Sequence, residues 1–575
     1  MLIDATTRPD GLQEAGLKRW ESERWTVLWK GFVFSPGRGA GVPSIEHLAD
    51  QLATRELRHL AQTLRGVFGL FVHDRQNRTW QIAVDNAGLY RIHYDDRFAA
   101  TSFLELITAT ARSADDLEPA AVASYLTCGY VFGADTLIAG IRKLRADQVL
   151  ELGDGAPAPR IVQKSLRPPS ADATATVSAY FADLATAVHG RRLSVDATGG
   201  FDTRLILCML HHHGVDFEMA VSSARESSDK RIAEQIARML QRPFVVTGHD
   251  IEHLEQDLVA TFHDADAQTD LRHFHRNRQN VLGRRERGVE VMAHGGGGEV
   301  FRDYFFVHDF PFYGSASANF PRYYDLRFAT VRIALQHVGR DYRPLVAASR
   351  AEAVRRFELF RSPTNNMSFN RVAYFLRAPE FFGPFFSGYI NLGVEVVAPF
   401  LDYDNAMAGM NLPPWQGFYN RWHRAMITRH NPALAALPTS EGYTASSAAR
   451  HLPGDLWAYG IAQASRVGKK LGQRALGRTL FHRVGALASD SPGYNDRLRQ
   501  TSHFATAIER LKSAGILAAD LDPDDLREAH LGRILTLGML LGHVDGEHAT
   551  GAPEPAPALS SPAGPPPAPA RRAAG

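Results

Sequence analysis

Between Ser194 and Arg204 the chain reads Ser-Val-Asp-Ala-Thr-Gly-Gly-Phe-Asp-Thr-Arg, a short apolar strand running through two glycines straight into a helical pattern. Glycines let a backbone approach a ligand closely, and a helix N-terminus presents unpaired N–H groups and the positive end of its dipole. Thr198 and Thr203 add hydroxyl donors, and Asp202 can hold a divalent cation against phosphate oxygens. These residue types make a phosphate cradle with a metal-binding carboxylate. They also make an ordinary Gly-Gly turn whose Thr and Asp cap a helix, and the loop alone does not choose between the two. No G-x-x-x-x-G-K-[ST] and no G-x-G-x-x-G occupies this position, so the two common nucleotide loops are not the basis of any binding here.

A second glycine-rich turn, His294-Gly-Gly-Gly-Gly-Glu299, follows an apolar run at Val289–Ala293. Its Glu299 is either a metal ligand or a helix N-terminal residue favoured by the dipole. Asp196 sits two residues before the first loop, where a buried carboxylate needs a partner, and Arg204 is the expected one. Asp402 either borders the site or caps a helix. His211–His213 belong to a helix end rather than a metal site. His273 and His275 fall in an Arg-rich helical stretch and are expected on a solvated face, and Tyr304 is expected in the core.

The elements that must position these residues fall into two styles. Thr26–Phe34, Gly66–His73, Thr79–Val84 and Arg91–Tyr94 are short strands divided by polar turns, with a helical pattern from Ser44 to Leu64 between them. Many short strands with few helices imply a layered domain over residues 1–165. The composition shifts at Lys164–Asp172, a Pro-containing linker. Beyond it, strand, turn and helix alternate: Leu193–Val195, the loop helix, Phe217–Val221, a helix over Ser228–Leu240, then Phe244–Thr247. That rhythm implies a parallel sheet with crossover helices, extended by further helices to about residue 545. The Ala/Pro-rich tail, 546–575, is expected to be disordered.

Of the 575 residues, 64 Lys+Arg against 62 Asp+Glu give a net charge of +2, and 45% are hydrophobic. Those values exclude bulk disorder and remove the simplest case for a nucleic-acid or membrane partner. Only Cys128 and Cys208 occur, which fits a reducing compartment and speaks against a disulfide framework. No apolar run reaches the ~18–20 residues of a membrane span, so a cytoplasmic location is expected.

The TGGFDT loop resembles the SGGxDS loop of the PP-loop ATP pyrophosphatases, which bind ATP so that its α-phosphorus is attacked and pyrophosphate leaves. Further segments are similar to the asparagine synthetase family. His294–Tyr304 resembles its GEGADELFGGY segment and Ala398–Asp402 its PFLD motif. Leu64–Phe68, Val84–Gly88 and Thr136–Leu144 resemble parts of its glutaminase domain. The matches run in the family's order over roughly residues 60–445. The resemblance implies an N-terminal Ntn-hydrolase-like αββα sandwich and a C-terminal parallel-sheet PP-loop domain. It implies ATP and Mg²⁺ as cofactors, with Ala197, Thr198, Gly199, Gly200, Asp202, Thr203, Val221, Ser222, Ala293 and His294 about the nucleotide. Asp202 and Glu299 would be the metal ligands.

The chain also departs from that pattern. Position 2 is Leu2, where the family has the cysteine nucleophile of glutamine hydrolysis. Gly298 stands at the family's metal-binding Asp, and Gly295 at a catalytic Glu or Tyr. Ser440 stands where a Lys neutralises charge on the acyl-adenylate, and Arg204 and Arg302 are the expected replacements. β-Lactam synthetase and the lasso-peptide cyclases share the loss of the cysteine. The expectation is an AMP-forming amide ligase. It would join a carboxylate to an amine of a small-molecule or peptide substrate without glutamine hydrolysis, alone or beside a biosynthetic partner protein. The competing readings are a catalytically impaired nucleotide-binding scaffold and an asparagine synthetase using free ammonia.

Overall fold

The computed structural model describes residues 1–153, 158–168, 170, 172–222, 228–248, 250–302, 317–476 and 493–546. The expected tail and Tyr304 lie outside the described residues. The architecture is mixed α/β, with several sheets and many helices.

The N-terminal part is built on a six-stranded antiparallel sheet. Its order is Arg160–Gln163, Gln148–Gly153, Thr79–Val84, Arg65–Asp74, Trp25–Phe34 and Lys18–Glu21. The Trp25–Phe34 strand is buried along nearly its whole length, which requires cover on both faces. On one face Val27, Trp29 and Val33 join Ile45, Leu48 and Leu52 of the Val42–Leu52 helix in a compact apolar cluster. On the other, Leu28, Phe32 and Phe34 enter the main core. A smaller antiparallel sheet of Leu2–Ile3, Ala99–Ala100, His93–Tyr94 and Arg142–Lys143 contributes to that core, with the helices Phe103–Ala109 and Pro119–Cys128.

The C-terminal part holds a five-stranded parallel sheet in the order Phe244–Thr247, Glu218–Ser222, Leu193–Asp196, Val291–Ala293 and Glu395–Val397. Leu193–Asp196 is central. The chain builds outward from it on one side and then returns to build on the other. The edge strand Glu395–Val397 runs against Trp25–Phe34 and Arg65–Asp74, and the main apolar core is continuous through both parts. Cys128 and Cys208 are separate, buried thiols.

Polar side chains fasten the two parts together. Arg91 and Lys143 both donate to Glu380, at 2.9 and 2.8 Å. Asp266 reaches across to the start of the Phe103–Ala109 helix, accepting from Ser102 Oγ at 2.7 Å and from the Phe103 and Leu104 N–H groups. Burial pushes the Asp266 carboxyl up to about 6, against the pull of those donors. The folded protein therefore holds a proton that the unfolded chain releases near pH 3.8. Stability from this group is full below that pH and is lost as pH rises through 6. Between pH 4.5 and 7 the wild type should lose about 2 kcal/mol more than Asp266→Asn. Urea unfolding at both pH values measures the difference, and parallel slopes for the two proteins would rule it out.

Candidate functional site

Reversal of build direction about Leu193–Asp196 opens a crevice between the carboxyl ends of that strand and Val291–Ala293, where open parallel sheets bind ligands. Val195 pairs in register with Ala293, so the loops leaving both strands emerge side by side. Both are the glycine-rich segments. Ala197 still bonds to the sheet through its N–H to Ala220 O at 2.7 Å, and the helix Phe201–His212 starts after Gly200. Within the turn, Thr198 Oγ1 accepts from the Gly200 N–H and lies 3.1 Å from Thr203 Oγ1. A Cβ on Gly295 would stand 2.9 Å from Thr203 Oγ1, which shows how closely the two loops approach. Gly297 turns the second loop at a φ of +91°, a conformation open to glycine.

Asp202, in the first turn of the loop helix, is the centre of charge. Arg302 Nη2 donates to its Oδ2 at 2.6 Å. His423 Nε2 stands 3.1 Å from Oδ1. Burial works to raise the Asp202 pKa, but the Arg302 charge and His423 outweigh it and hold the carboxyl below its usual value. Burial lowers the pKa of His423 itself, against the pull of Asp202. Glu299 is directed to Arg377, whose Nη1 is 3.7 Å away. The structure thus brings Asp202 and Arg302 into contact and gives Glu299 a different cationic partner. Among the described residues no cluster of three His, Cys, Asp or Glu side chains is arranged to hold a metal.

Two expectations about the loop arginine are overturned. Asp196 does not pair with Arg204: it pairs with Arg284 of the Leu271–Glu286 helix, and His294 Nε2 lies 3.8 Å away. Arg204 is fully buried and cannot replace the missing Lys at phosphate. Its guanidinium instead donates to the carbonyls of Leu437 (2.6 Å), Pro438 (2.8 Å), Leu434 and Gly199 (both 3.4 Å). The helix turn carries it inward, into the stretch that leads to Ser440. Ser440 is exposed and borders the loop, its Cβ 3.2 Å from where a Gly199 Cβ would be. Val221 is buried and Ser222 exposed at the end of their strand, and Ala293 is buried at the end of its own. His294 is partly buried; its Nδ1 accepts from the Gly296 N–H at 2.9 Å, and burial lowers its pKa.

Elsewhere, Asp402 caps the Tyr403–Met410 helix and is pushed up to about 6 by burial, with Arg65 opposing. His275 is buried beside Asp257 rather than solvated. Several neighbours of the site had no recognisable motif. Asp229 accepts from the Gly199 N–H at 2.9 Å and so fixes the loop, while His423, Arg377 and Arg284 come from distant helices. Only Asp229, opening the predicted Ser228–Leu240 helix, had any local signal. A cavity of about 550 Å³ between the Pro119–Cys128 and Arg343–Glu358 helices lies apart from this crevice. The case for the crevice rests on its loops and charges.

Residues 51–160 match the family model of a glutamine amidotransferase domain. No curated protein matches the chain. The matched stretch contains the Val84–Gly88 turn, where the buried Asp85 carboxylate accepts from the N–H groups of Ala87, Leu89 and Tyr90. This fits an asparagine-synthetase-like N-terminal domain and points to an amidotransferase-like enzyme.

Proposed function

We propose that the chain is an ATP-dependent, AMP-forming amide ligase with the organisation of the asparagine synthetase family: an Ntn-hydrolase-like domain over 1–165 and a PP-loop domain over 173–545. The observation carrying this reading is the meeting of two glycine-rich turns and a helix N-terminus at the switch point of the parallel sheet, with Asp202 between them.

A carboxylate and an amine merely exchange a proton at neutral pH. Attack of a carboxylate oxygen on the α-phosphorus of ATP expels pyrophosphate and converts that oxygen into a leaving group. The amine nitrogen then bonds to the acyl carbon, the C–O bond to AMP breaks, and the nitrogen gives up a proton. Thr198, Gly200 and Thr203 would cradle the phosphates, and the Gly199 N–H would join them by exchanging Asp229 for phosphate. Asp202 would be the carboxylate that holds Mg²⁺, with water and phosphate completing the shell; Glu299, facing Arg377, is less suited. Bound Mg²⁺ supplies charge neutralisation on the phosphates.

Cys128 and Cys208 are buried thiols and offer no exposed nucleophile for glutamine hydrolysis, so the amine is taken from the substrate, as in closing a lactam or a peptide macrolactam. The exposed Ser440 in place of a cation favours a second reading, a scaffold that binds nucleotide without turnover. Incubation with Mg²⁺-ATP and carboxylate-plus-amine substrates separates the two. Release of pyrophosphate and AMP, reduced ~100-fold or more in Asp202→Asn, is expected of the ligase. ADP and phosphate as the products would exclude it, and binding with no turnover of any substrate would leave the scaffold.

A further inference from the structure

Of the twelve large apolar side chains that stand exposed among the described residues, six fall between Trp415 and Ile461. Four of them, Leu452, Leu456, Trp457 and Ile461, lie on the first turns of the Leu452–Leu476 helix, and Trp457 is 75% exposed. These turns are held firmly from behind. Asp455 is buried and accepts from Arg424 Nη1 at 2.9 Å and from Thr444 Oγ1 at 2.6 Å. The Tyr459 ring packs edge-on with Phe418, Tyr419 and Tyr443, at centroid distances of 5.8, 5.1 and 5.7 Å. Tyr443 in turn lies 5.9 Å from Phe201, which opens the helix after the first glycine-rich turn.

The helical period sets positions 453, 456, 457, 460, 461 and 464 on the side away from those contacts. They carry Pro, Leu, Trp, Gly, Ile and Ala, all exposed, without one charged side chain. A helix on the surface of a globular domain ordinarily turns its polar residues that way. Charge is instead segregated along the axis. The later turns carry Arg466, Lys469, Lys470 and Arg474, and buried Asp455 is the helix's single acidic residue. The near-even balance of the whole chain, 64 basic against 62 acidic residues, conceals this local excess.

A protein partner on such a face would bring polar groups that need matching, typically about one hydrogen bond per 100–200 Å². The six outward positions offer a single side-chain group for that, the Trp457 indole N–H. A bilayer asks for no such matching. It takes leucine, isoleucine and the tryptophan ring into the acyl boundary, keeps the indole N–H among headgroups, and draws Lys and Arg to anionic lipids. We propose that the outward face of Leu452–Leu476 is a docking surface for an anionic lipid bilayer. The helix lies in the plane of the membrane surface with Leu456, Trp457 and Ile461 inserted. The ring contacts from Tyr459 through Tyr443 to Phe201 then hold the glycine-rich crevice beside the membrane.

Flotation of the full-length protein with lipid vesicles tests this. Phosphatidylcholine vesicles in which roughly one lipid in three is phosphatidylglycerol are expected to carry the protein up the gradient. Pure phosphatidylcholine vesicles should bind at least ~10-fold more weakly, and added salt should weaken the anionic case. Trp457→Glu combined with Ile461→Glu is expected to lower partitioning ~100-fold or more, because two charges replace inserted apolar groups. Both side chains are exposed, so the thermal midpoint should stay at the wild-type value. Lys469→Glu with Lys470→Glu should cost ~10-fold or more on anionic vesicles and leave the weak binding to neutral ones unchanged. A wild type that binds neither vesicle overturns the proposal without any variant. So does equal partitioning of the wild type and the Trp457→Glu, Ile461→Glu protein, or equal affinity for neutral and anionic lipid. Self-association that this double variant abolishes, in a protein that ignores vesicles, would overturn it in favour of a second copy of the chain.

Discussion

Gly298→Asp is expected to weaken ATP binding by more than ~100-fold and to destabilise the fold by about 3 kcal/mol, although it would move the sequence toward the pattern it resembles. The reason is local geometry. A Cβ at 298 would lie 2.2 Å from Asp202 Cγ, far inside any non-bonded contact, so Asp202 or the turn must move. Asp202 can clear the Cβ only by turning its carboxylate away, which breaks its bond to Arg302 and its approach to His423. Moving the turn instead displaces Gly295 and Gly297, which pack against Thr203 and Leu401. The added carboxylate would also stand beside Asp202 with one arginine for two negative charges, and like charges in a part-buried site repel strongly. Gly298→Ala separates the two costs: it carries the steric penalty alone and should lose about 2 kcal/mol. Thermal unfolding and ATP titration of both variants measure this. Wild-type affinity in Gly298→Asp would mean that Asp202 is free to swing away, contrary to its contacts with Arg302 and His423.

That reversal marks how far the sequence could be followed. Local patterns were legible: Thr79–Val84, Phe244–Thr247 and the Ser228–Leu240 helix fall on their expected bounds, because each is set by alternation or helical periodicity within itself. The two glycine-rich turns were legible as well, since a strand running through glycines into a helix is a local signal. What was not legible depends on contacts across the chain. Asp196 needed a partner, and the nearest arginine in sequence was the expected one, but that arginine points the other way from the helix. His275 lies in an Arg-rich stretch that looks solvated, yet its ring is buried beside Asp257, a partner 18 residues away. His423 reaches Asp202 from 221 residues away and carries no motif; Arg302 was singled out through its glycine-rich segment, but as a cation at phosphate and not as a partner of Asp202. Charge in a site is a sum over elements that only folding brings together, so net charge and spacing could not supply it.

Arg204→Met is expected to cost about 4 kcal/mol of stability and to weaken ATP binding, although Arg204 has no path to the phosphates. The side chain is fully buried, and its pKa is drawn down to about 10 by that burial. Among the described residues it has no carboxylate partner; four carbonyl oxygens receive its N–H groups. Three of them, from Leu434, Leu437 and Pro438, lie in the stretch that leads to Ser440, and the fourth is Gly199 O within the phosphate loop. The guanidinium therefore ties the loop to the segment that closes over it. Methionine fills much of the volume but removes all four bonds; Leu434 O keeps the Leu437 N–H and Pro438 is exposed, so the loss falls mainly on Gly199 O and Leu437 O, and each orphaned acceptor costs about 1–3 kcal/mol. Arg204→Lys discriminates between this role and the electrostatic one expected from sequence. A cation acting at phosphate would be largely preserved by lysine. A fork holding four carbonyls would not, because one ammonium on a flexible stem has three donors and no planar edge. Arg204→Lys should then lose at least half of the stability that Arg204→Met loses, together with a similar share of ATP affinity. Full stability and full binding in Arg204→Lys would show that charge alone suffices and would return Arg204 to the phosphate site.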